Sequence, residues 1–324
     1  MMKKILISID TEGDNLWAWR VGDKITTENA KYLPRFQELC ESYGFKPTYL
    51  TNYEMATDPF FINYFKQRNL SGKCEIGMHL HAWNSPPEYQ LPIRADVEPG
   101  APYLIEYPDE VMFKKVEFMT RTLENAFEQK PVTHRAGRWA TNSLYFSALQ
   151  NFGYKIDCSV TPGMDWSHAP GQSPDSYGSN YTTYPKYPYV IEGTDILEVP
   201  VTVRENHRLK LGQKPGLRKM IKKYKEAKKG HGPLWLRPRT NNDNLEDLLY
   251  LVDLISKDKN ADYLMFMLHS SEFMPGGSPT FQTEEAIESL YSKLNVLFDR
   301  VSLSYTGSTL MSYYKEKQSD AKKR

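Results

Sequence analysis

The chain has 324 residues, 40% of them hydrophobic, and its 41 Lys and Arg against 40 Asp and Glu leave a net charge of +1. That is enough apolar material to bury one large core or two smaller ones. The even charge balance excludes a global electrostatic case for nucleic acid or an anionic membrane as partner. The three cysteines, Cys40, Cys74 and Cys158, form no CxxC pair. Being odd in number, they form no disulfide framework either, which predicts a reducing, cytoplasmic setting. The stretch before Asp10 is too short for a signal-peptide core, and no run approaches a membrane span.

In chain order, KKILISID (3–10) predicts a buried strand rich in β-branched residues and ending in an acid. A helix follows over 27–44, with Thr27 as its cap and Gly44 as its stop. KPTYLTN (46–52) predicts a second strand, PFFINYFKQRN (59–69) a helix, and CEIGMHLHAW (74–83) a third strand. Residues 84–109 are proline-rich and predict a long irregular excursion. The alternation resumes with an amphipathic helix over 109–129, a strand in VTHRAGRWA (132–140), a helix closed by Gly153, and a strand in YKIDCSV (154–160). A second long loop is predicted over 161–189 and a strand over 195–203. Next come a helix over 244–258, a very apolar strand in DYLMFMLHSSE, a helix over 284–300, a last strand over 301–310, and a charged, frayed tail.

Strands apolar on both faces, alternating with helices, predict a mostly parallel α/β sheet or barrel in one domain. In such folds chemistry gathers beyond the carboxyl ends of the strands. Four polar groups fall there: Asp10 with Glu12, His79 with His81, the His134, Arg135 and Arg138 segment, and His269 followed by Ser270, Ser271 and Glu272. Residues i and i+2 of an extended chain share a face, so two imidazoles so placed can grip one cation. Asp10 and Glu12 can then aim one carboxylate at the metal and one at its water. Imidazole and carboxylate ligands with an open position describe a hydrolytic Zn site or that of a similar divalent ion. The alternative is that one histidine faces the metal while the other packs under Trp83.

Together SIDTEGD, HLHAW, HRAGRW and MLHSSE resemble the motifs of the polysaccharide deacetylase family, the NodB-homology domain of carbohydrate esterase family 4, from Lys4 to about Ser278. HLHAW and the HSSE…PGGSP stretch resemble the branch associated with lipopolysaccharide and surface-glycan biosynthesis. The resemblance implies a distorted (β/α) barrel of the seven-stranded type, as one catalytic domain over 1–312. Loops 84–109 and 161–189 and a basic helix 208–230 would be insertions, with 313–324 a flexible tail. It implies Asp10 as catalytic base, Arg135 as its ion-pair partner, His269 as proton donor, and Glu12, His79 and His81 as ligands of a divalent ion. Zn is the first choice, with Co, Mn or Ni as alternatives.

The family's second histidine would fall at Trp83, so His81, Asn84 or water takes that place. The Arg-x-Pro-aromatic pattern appears here without its proline, and DCSVTPGMDW offers Asp157 or Asp165 as the fourth-motif acid. Trp17, Trp19, Trp83, Trp139 and Trp166 are candidate sugar platforms or ordinary packing. Trp83 and Trp139 adjoin motif residues and, with Arg138, form the expected substrate wall.

Between Arg208 and Lys229 the only acid is Glu226, and Leu217, Met220, Ile221 and Tyr224 share a helical stripe. That basic face is either merely solvated or a dock for a nucleotide- or lipid-linked sugar or an anionic membrane surface. The expected activity is removal of N-acetyl groups from an amino sugar in a polysaccharide or its precursor. The alternatives are an inactive glycan-binding homologue and a metal-dependent hydrolase of another amide.

Overall fold

A computed structural model describes residues 2–93, 100–206, 231–239 and 244–322. The basic stretch 208–229 lies outside the described residues, as do most of the residues just before Gly100. The strands in chain order are β1 (Lys3–Thr11), β2 (Pro47–Thr51), β3 (Glu75–Leu80), β4 (Thr133–Ala136), β5 (Ile156–Asp157), β6 (Tyr189–Val190), β7 (Leu197–Glu198), β8 (Val203–Asn206), β9 (His231–Trp235), β10 (Tyr263–His269) and β11 (Tyr305–Ser308). Nine of them form one sheet in the order β10-β1-β2-β3-β4-β5-β7-β6, with β11 also pairing with β1. Only the β6–β7 ladder of that sheet is antiparallel. The result is a mixed α/β fold whose mostly parallel sheet curls into a half-barrel, and β8 and β9 form a separate hairpin. The hairpin lies against β10, where the Met267 amide donates to the Leu236 carbonyl and the Met265 amide to the Thr202 hydroxyl.

The sheet separates two apolar layers by the two-residue period of extended chain. On β1, Ile5, Ile7 and Ile9 face the larger core under the helices α1 (Leu33–Ser42), α3 (Pro59–Leu70), α4 (Asp109–Phe127), α5 (Ser143–Asn151), α6 (Leu245–Lys257) and α7 (Glu284–Ser302), while Leu6 faces inward. On β10, Leu264, Phe266 and Leu268 go outward, and Tyr263, Met265 and Met267 go in. Each such aliphatic or aromatic side chain, fully buried, contributes about 1.5–3 kcal/mol. The inner row turns polar where the strands end. Ser8 and Asp10 follow Leu6, and His269 follows Met267. Asp10 is in register with His269, and His79 with Arg135.

Local chemistry fixes the helix ends. Asn52 caps α2 (Tyr53–Ala56), and Asp58, Asn142 and Thr283 cap α3, α5 and α7 with side-chain oxygens. Gly44 and Gly153 follow α1 and α5 at φ 69° and 87°, the left-handed stops their sequence positions predict. Thr27 is not the expected cap: its hydroxyl donates to Asp58, and Asp14 instead accepts from the Glu28 and Asn29 amides.

Further boundaries differ from those predicted. The strand over 195–203 is broken at Pro200 into β7 and β8, because proline cannot donate to a ladder. The last strand shortens to β11, because α7 continues to Ser302. The expected frayed tail is instead α8 (Leu310–Lys322), anchored by the Tyr313 hydroxyl on Asp262 (2.8 Å) and the Tyr313 ring on Tyr263. All three cysteines are free and buried. Among the described residues no helix is long and apolar enough to cross a membrane.

Candidate metal centre and catalytic pocket

Asp10 ends the inner row of β1, and burial alone would raise its pKa. Arg135, then His79 and His269, outweigh burial and hold the carboxylate below its ordinary range. The Arg135 guanidinium, fully buried, donates Nη1 to Asp10 Oδ1 at 2.5 Å, Nη2 to the Ser8 hydroxyl and Nε to the Cys158 carbonyl. It thus lies one layer beneath the cavity as Asp10's buttress.

Glu12 leaves the end of β1 with its backbone fixed. Its amide and carbonyl both bond the Ser270 hydroxyl, and Asn29 donates to the same carbonyl. Its carboxylate Oε2 lies 3.6 Å from His79 Nε2 and 3.2 Å from His81 Nε2, and the two Nε2 atoms are 2.9 Å apart. Burial opposes ionisation of Glu12, but His269, His79 and His81 reverse this and drive its pKa far down. His79 Nδ1 is 3.0 Å from the Arg135 carbonyl. Since a carbonyl only accepts, Nδ1 carries the proton and Nε2 presents a lone pair.

The His81 ring stacks on Trp83, with centroids 4.4 Å apart, while its Nε2 faces Glu12. Packing and convergence, alternatives in the sequence, are both realised by one ring. The fit depends on Gly137 in the turn after β4, where a Cβ would stand 2.6 Å from His81 Cδ2 and 2.6 Å from the Leu80 carbonyl oxygen.

His269 closes the fourth side. Its Nε2 is 3.8 Å from Asp10 Oδ2, and its Nδ1 is 3.0 Å from Glu272 Oε2. The same oxygen accepts from the His269 amide (2.9 Å) and from Arg237 Nη2 (3.1 Å). Burial would raise Glu272, but Arg237 and His269 keep it ionised. Orienting His269 through Glu272 and Arg237 is what the sequence missed. The His-Ser-Ser-Glu spacing, a capping box on the turn Ser270–Phe273, carries a trace of Glu272, but nothing marks Arg237.

Asp10, Glu12, His79, His81 and His269 open onto one cavity of about 280 Å³. Its wall is completed by Leu16, Trp17, Trp83, Ala101, Arg138 and Trp139. That is near the small end of ligand pockets, ~300–1,000 Å³, so it admits one unit or the end of a larger molecule. Trp17, which the sequence did not favour, stands at the lip with its ring edge-on to His269 at 4.8 Å. Other strand-end candidates lie elsewhere. His134 pairs with Asp157 at 2.6 Å away from the cavity, and Asp165 binds Ser167 in an exposed turn.

The donor set suits a cation. Among the described residues Glu12, His79 and His81 are the cluster of three whose ligand atoms all lie within 4.8 Å of one another. A carboxylate and the His79 lone pair converge there with the His81 ring nitrogen. Despite the burial that opposes it, the negative field of Asp10 and Glu12 raises the His79 pKa. A field that draws a proton there favours a divalent ion more strongly. One carboxylate, two imidazoles and an open cavity side are the donors of hydrolytic zinc sites.

No family model matches the chain, and no curated protein sequence matches it. Solved structures do match in fold. A protein from Mycobacterium smegmatis described as a polysaccharide deacetylase superposes with TM-score 0.52 at 13% identity, over 99% of this chain and 92% of that one. A GH57 branching enzyme from Thermococcus kodakaraensis superposes with TM-score 0.55 at 12% identity, over 98% of this chain and 71% of that one. A 4-alpha-glucanotransferase from Thermococcus litoralis gives 0.53 at 13% identity, over 98% of this chain and 40% of that one. At these identities the likeness is one of fold.

Proposed function

We propose that this chain is a metal-dependent deacetylase that hydrolyses the N-acetyl group of an amino sugar. The sugar would belong to a surface glycan such as lipopolysaccharide, or to its nucleotide- or lipid-linked precursor, and would be handled in the cytoplasm. The observation that carries this reading is the convergence in one cavity of Glu12, His79 and His81 with an ionised Asp10 and an oriented His269. The fold shared with a protein described as a polysaccharide deacetylase supports it, as do three buried free cysteines.

Glu12, His79 and His81 would hold the cation, zinc by donor type. A divalent ion there supplies a Lewis acid for the acyl oxygen and acidifies water. Asp10, kept ionised by Arg135, accepts the proton of the attacking water as the new C–O bond forms. His269 donates a proton to the nitrogen as the C–N bond breaks, so that acetate and free amine leave. Glu272 holds His269 Nδ1 and thereby aims Nε2 at the cavity. Trp17, Trp83 and Trp139 line the cavity and would supply apolar wall for the sugar ring.

Cleavage of a glycosidic bond, suggested by the two glucan-processing neighbours, needs a carboxyl group kept protonated beside the scissile oxygen. Both cavity carboxyls are instead driven ionised, which favours the amide reading. The test is acetate release from N-acetyl sugars, nucleotide sugars and oligosaccharides, alongside elemental analysis of the protein. Bound divalent metal with acetate release is expected. Bound metal without acetate release points to another amide, and absence of both overturns the proposal.

A further inference from the structure

The turn Gly137–Trp139 contains more design than holding His81 requires. Arg138 and Trp139 both adopt the left-handed region, at φ 55° and 63°. Such a conformation is unfavourable for a non-glycine residue and persists where its surroundings impose it. Here the surroundings are identifiable. The Arg138 guanidinium donates Nη1 to the Ala101 carbonyl and Nη2 to the Pro170 carbonyl, bridging the two long loops, and the Tyr181 hydroxyl donates to the Trp139 carbonyl. The strained turn thus delivers a cation and an indole to the cavity wall.

The charge on Arg138 is the second observation. Arg135 is matched by Asp10 and Arg237 by Glu272. Arg138 lies 4.0 Å over the Tyr103 ring, and among the described residues no carboxylate stands within ion-pair distance of it. Glu106, the acid of its neighbourhood, is engaged by the amides of Tyr103, Gln172 and Ser173. Burial is the largest influence on this half-buried guanidinium, and the charge of Glu106 reaches it only from beyond contact distance, which leaves it poorly compensated. Among the described residues its two carbonyl partners leave other N–H groups of its planar fork unused, and that fork matches a phosphate or carboxylate.

We propose that Arg138 is a specificity-determining residue that receives an oxyanion, phosphate or carboxylate, carried by the substrate beside its acylated amine. The substrate class is then an anionic N-acyl sugar rather than a neutral one. This rests on the deacetylase reading for the identity of the sugar, but not for the preference in charge.

The experiment is a tryptophan-fluorescence titration of the full, zinc-loaded chain with N-acetylglucosamine, its 1-phosphate, and N-acetylmuramic acid, which bears a carboxylate. At least one anionic sugar should bind tighter than the neutral one by about tenfold to a hundredfold, the worth of hydrogen bonds to a charged group. Whichever anion wins identifies the source of the charge. Arg138→Gln should abolish the preference, bringing the anionic and neutral sugars to one affinity, and Arg138→Lys, which keeps a point charge, should retain part of it. Equal or absent binding of the three sugars by the wild type overturns the proposal. So does a preference that survives in Arg138→Gln, since the metal alone would then account for it. Charge-selective binding lost in Arg138→Gln, but without acetate release, leaves the proposal standing and removes only the hydrolytic reading.

Discussion

Consecutive residues of β4 serve two polar clusters with opposite characters. His134 places Nδ1 on Asp157 at 2.6 Å and Nε2 on the Tyr145 hydroxyl at 2.7 Å, and Asp157 also accepts from the Ser159 amide and hydroxyl. Every ring nitrogen is satisfied, and the cluster is sealed at 0% exposure. Arg135 reaches the other side, where Asp10, Glu12, His79 and His81 bring acceptors face to face around a cavity. Buried polarity is common to both. What separates them is access: the His134 ring has both nitrogens satisfied inside a sealed core and holds the fold together, whereas the other set faces a cavity where a ligand can complete it.

The sharpest way to break this comparison is to remove one proton acceptor from the open cluster. Asp10→Asn should lower turnover by about 10²–10⁴-fold, the usual worth of a general base, with metal content unchanged by elemental analysis. Full activity in that variant would remove Asp10 from the chemistry. The matching change in the closed cluster should act on stability instead. His134→Ala takes the imidazole away from Asp157 and Tyr145, leaving Asp157 the Ser159 amide and hydroxyl, and should cost about 1–3 kcal/mol in urea unfolding, with the metal retained. Loss of metal in His134→Ala at unchanged stability would erase the distinction.

The same contrast shows how far the sequence could be read. Asp10, Glu12, His79, His81 and His269 were legible because each is a polar residue placed just where an apolar strand ends, and the order of those strands is the order of the chain. His134 occupies an equally suggestive position, but a step of one residue along a strand reverses the face. Only its partners, Asp157 and Tyr145, reveal its structural duty. Arg237 was illegible because its value lies in a contact with His269 and Glu272, 32 and 35 positions away, made from the end of a strand, β9, that no periodicity announced. The sequence of α4 reads as an apolar stripe of Val111, Lys115, Phe118, Thr122 and Leu123, and the structure rotates that stripe. Met112, Lys115, Val116, Met119, Thr120, Leu123 and Phe127 are the buried face.

Gly137 was equally silent, since its role is to be small. Gly137→Ala would force the His81 ring or the Leu80 carbonyl to move from 2.6 Å. Overpacking of this kind costs about 1–3 kcal/mol, and a chelator competition should show weaker metal retention as His81 shifts. Unchanged retention would mean that His81 contributes little to the cation.

The smallest effect separates two carboxyls only one strand apart. Glu54, on α2 just after β2, is pushed up to about 7, chiefly by burial, with the charge of Glu12 adding to it. Among the described residues its Oε2 is buried without a hydrogen-bond partner. A carboxyl with a raised folded pKa binds its proton more tightly in the fold than in the unfolded chain, whose value is ~4.3. Its stabilising contribution is therefore present in acid and fades as pH rises from about 4.5 through 7. Glu12 has the opposite sign: its pKa is depressed, so its contribution is present at neutral pH and lost on acidification. Glu54→Gln removes the first slope and leaves the second. Its melting temperature should gain on the wild type by about 2 °C between pH 5 and pH 8, measured in paired thermal melts. Parallel curves across that window would place the Glu54 proton in solvent-like surroundings and end its contrast with Glu12.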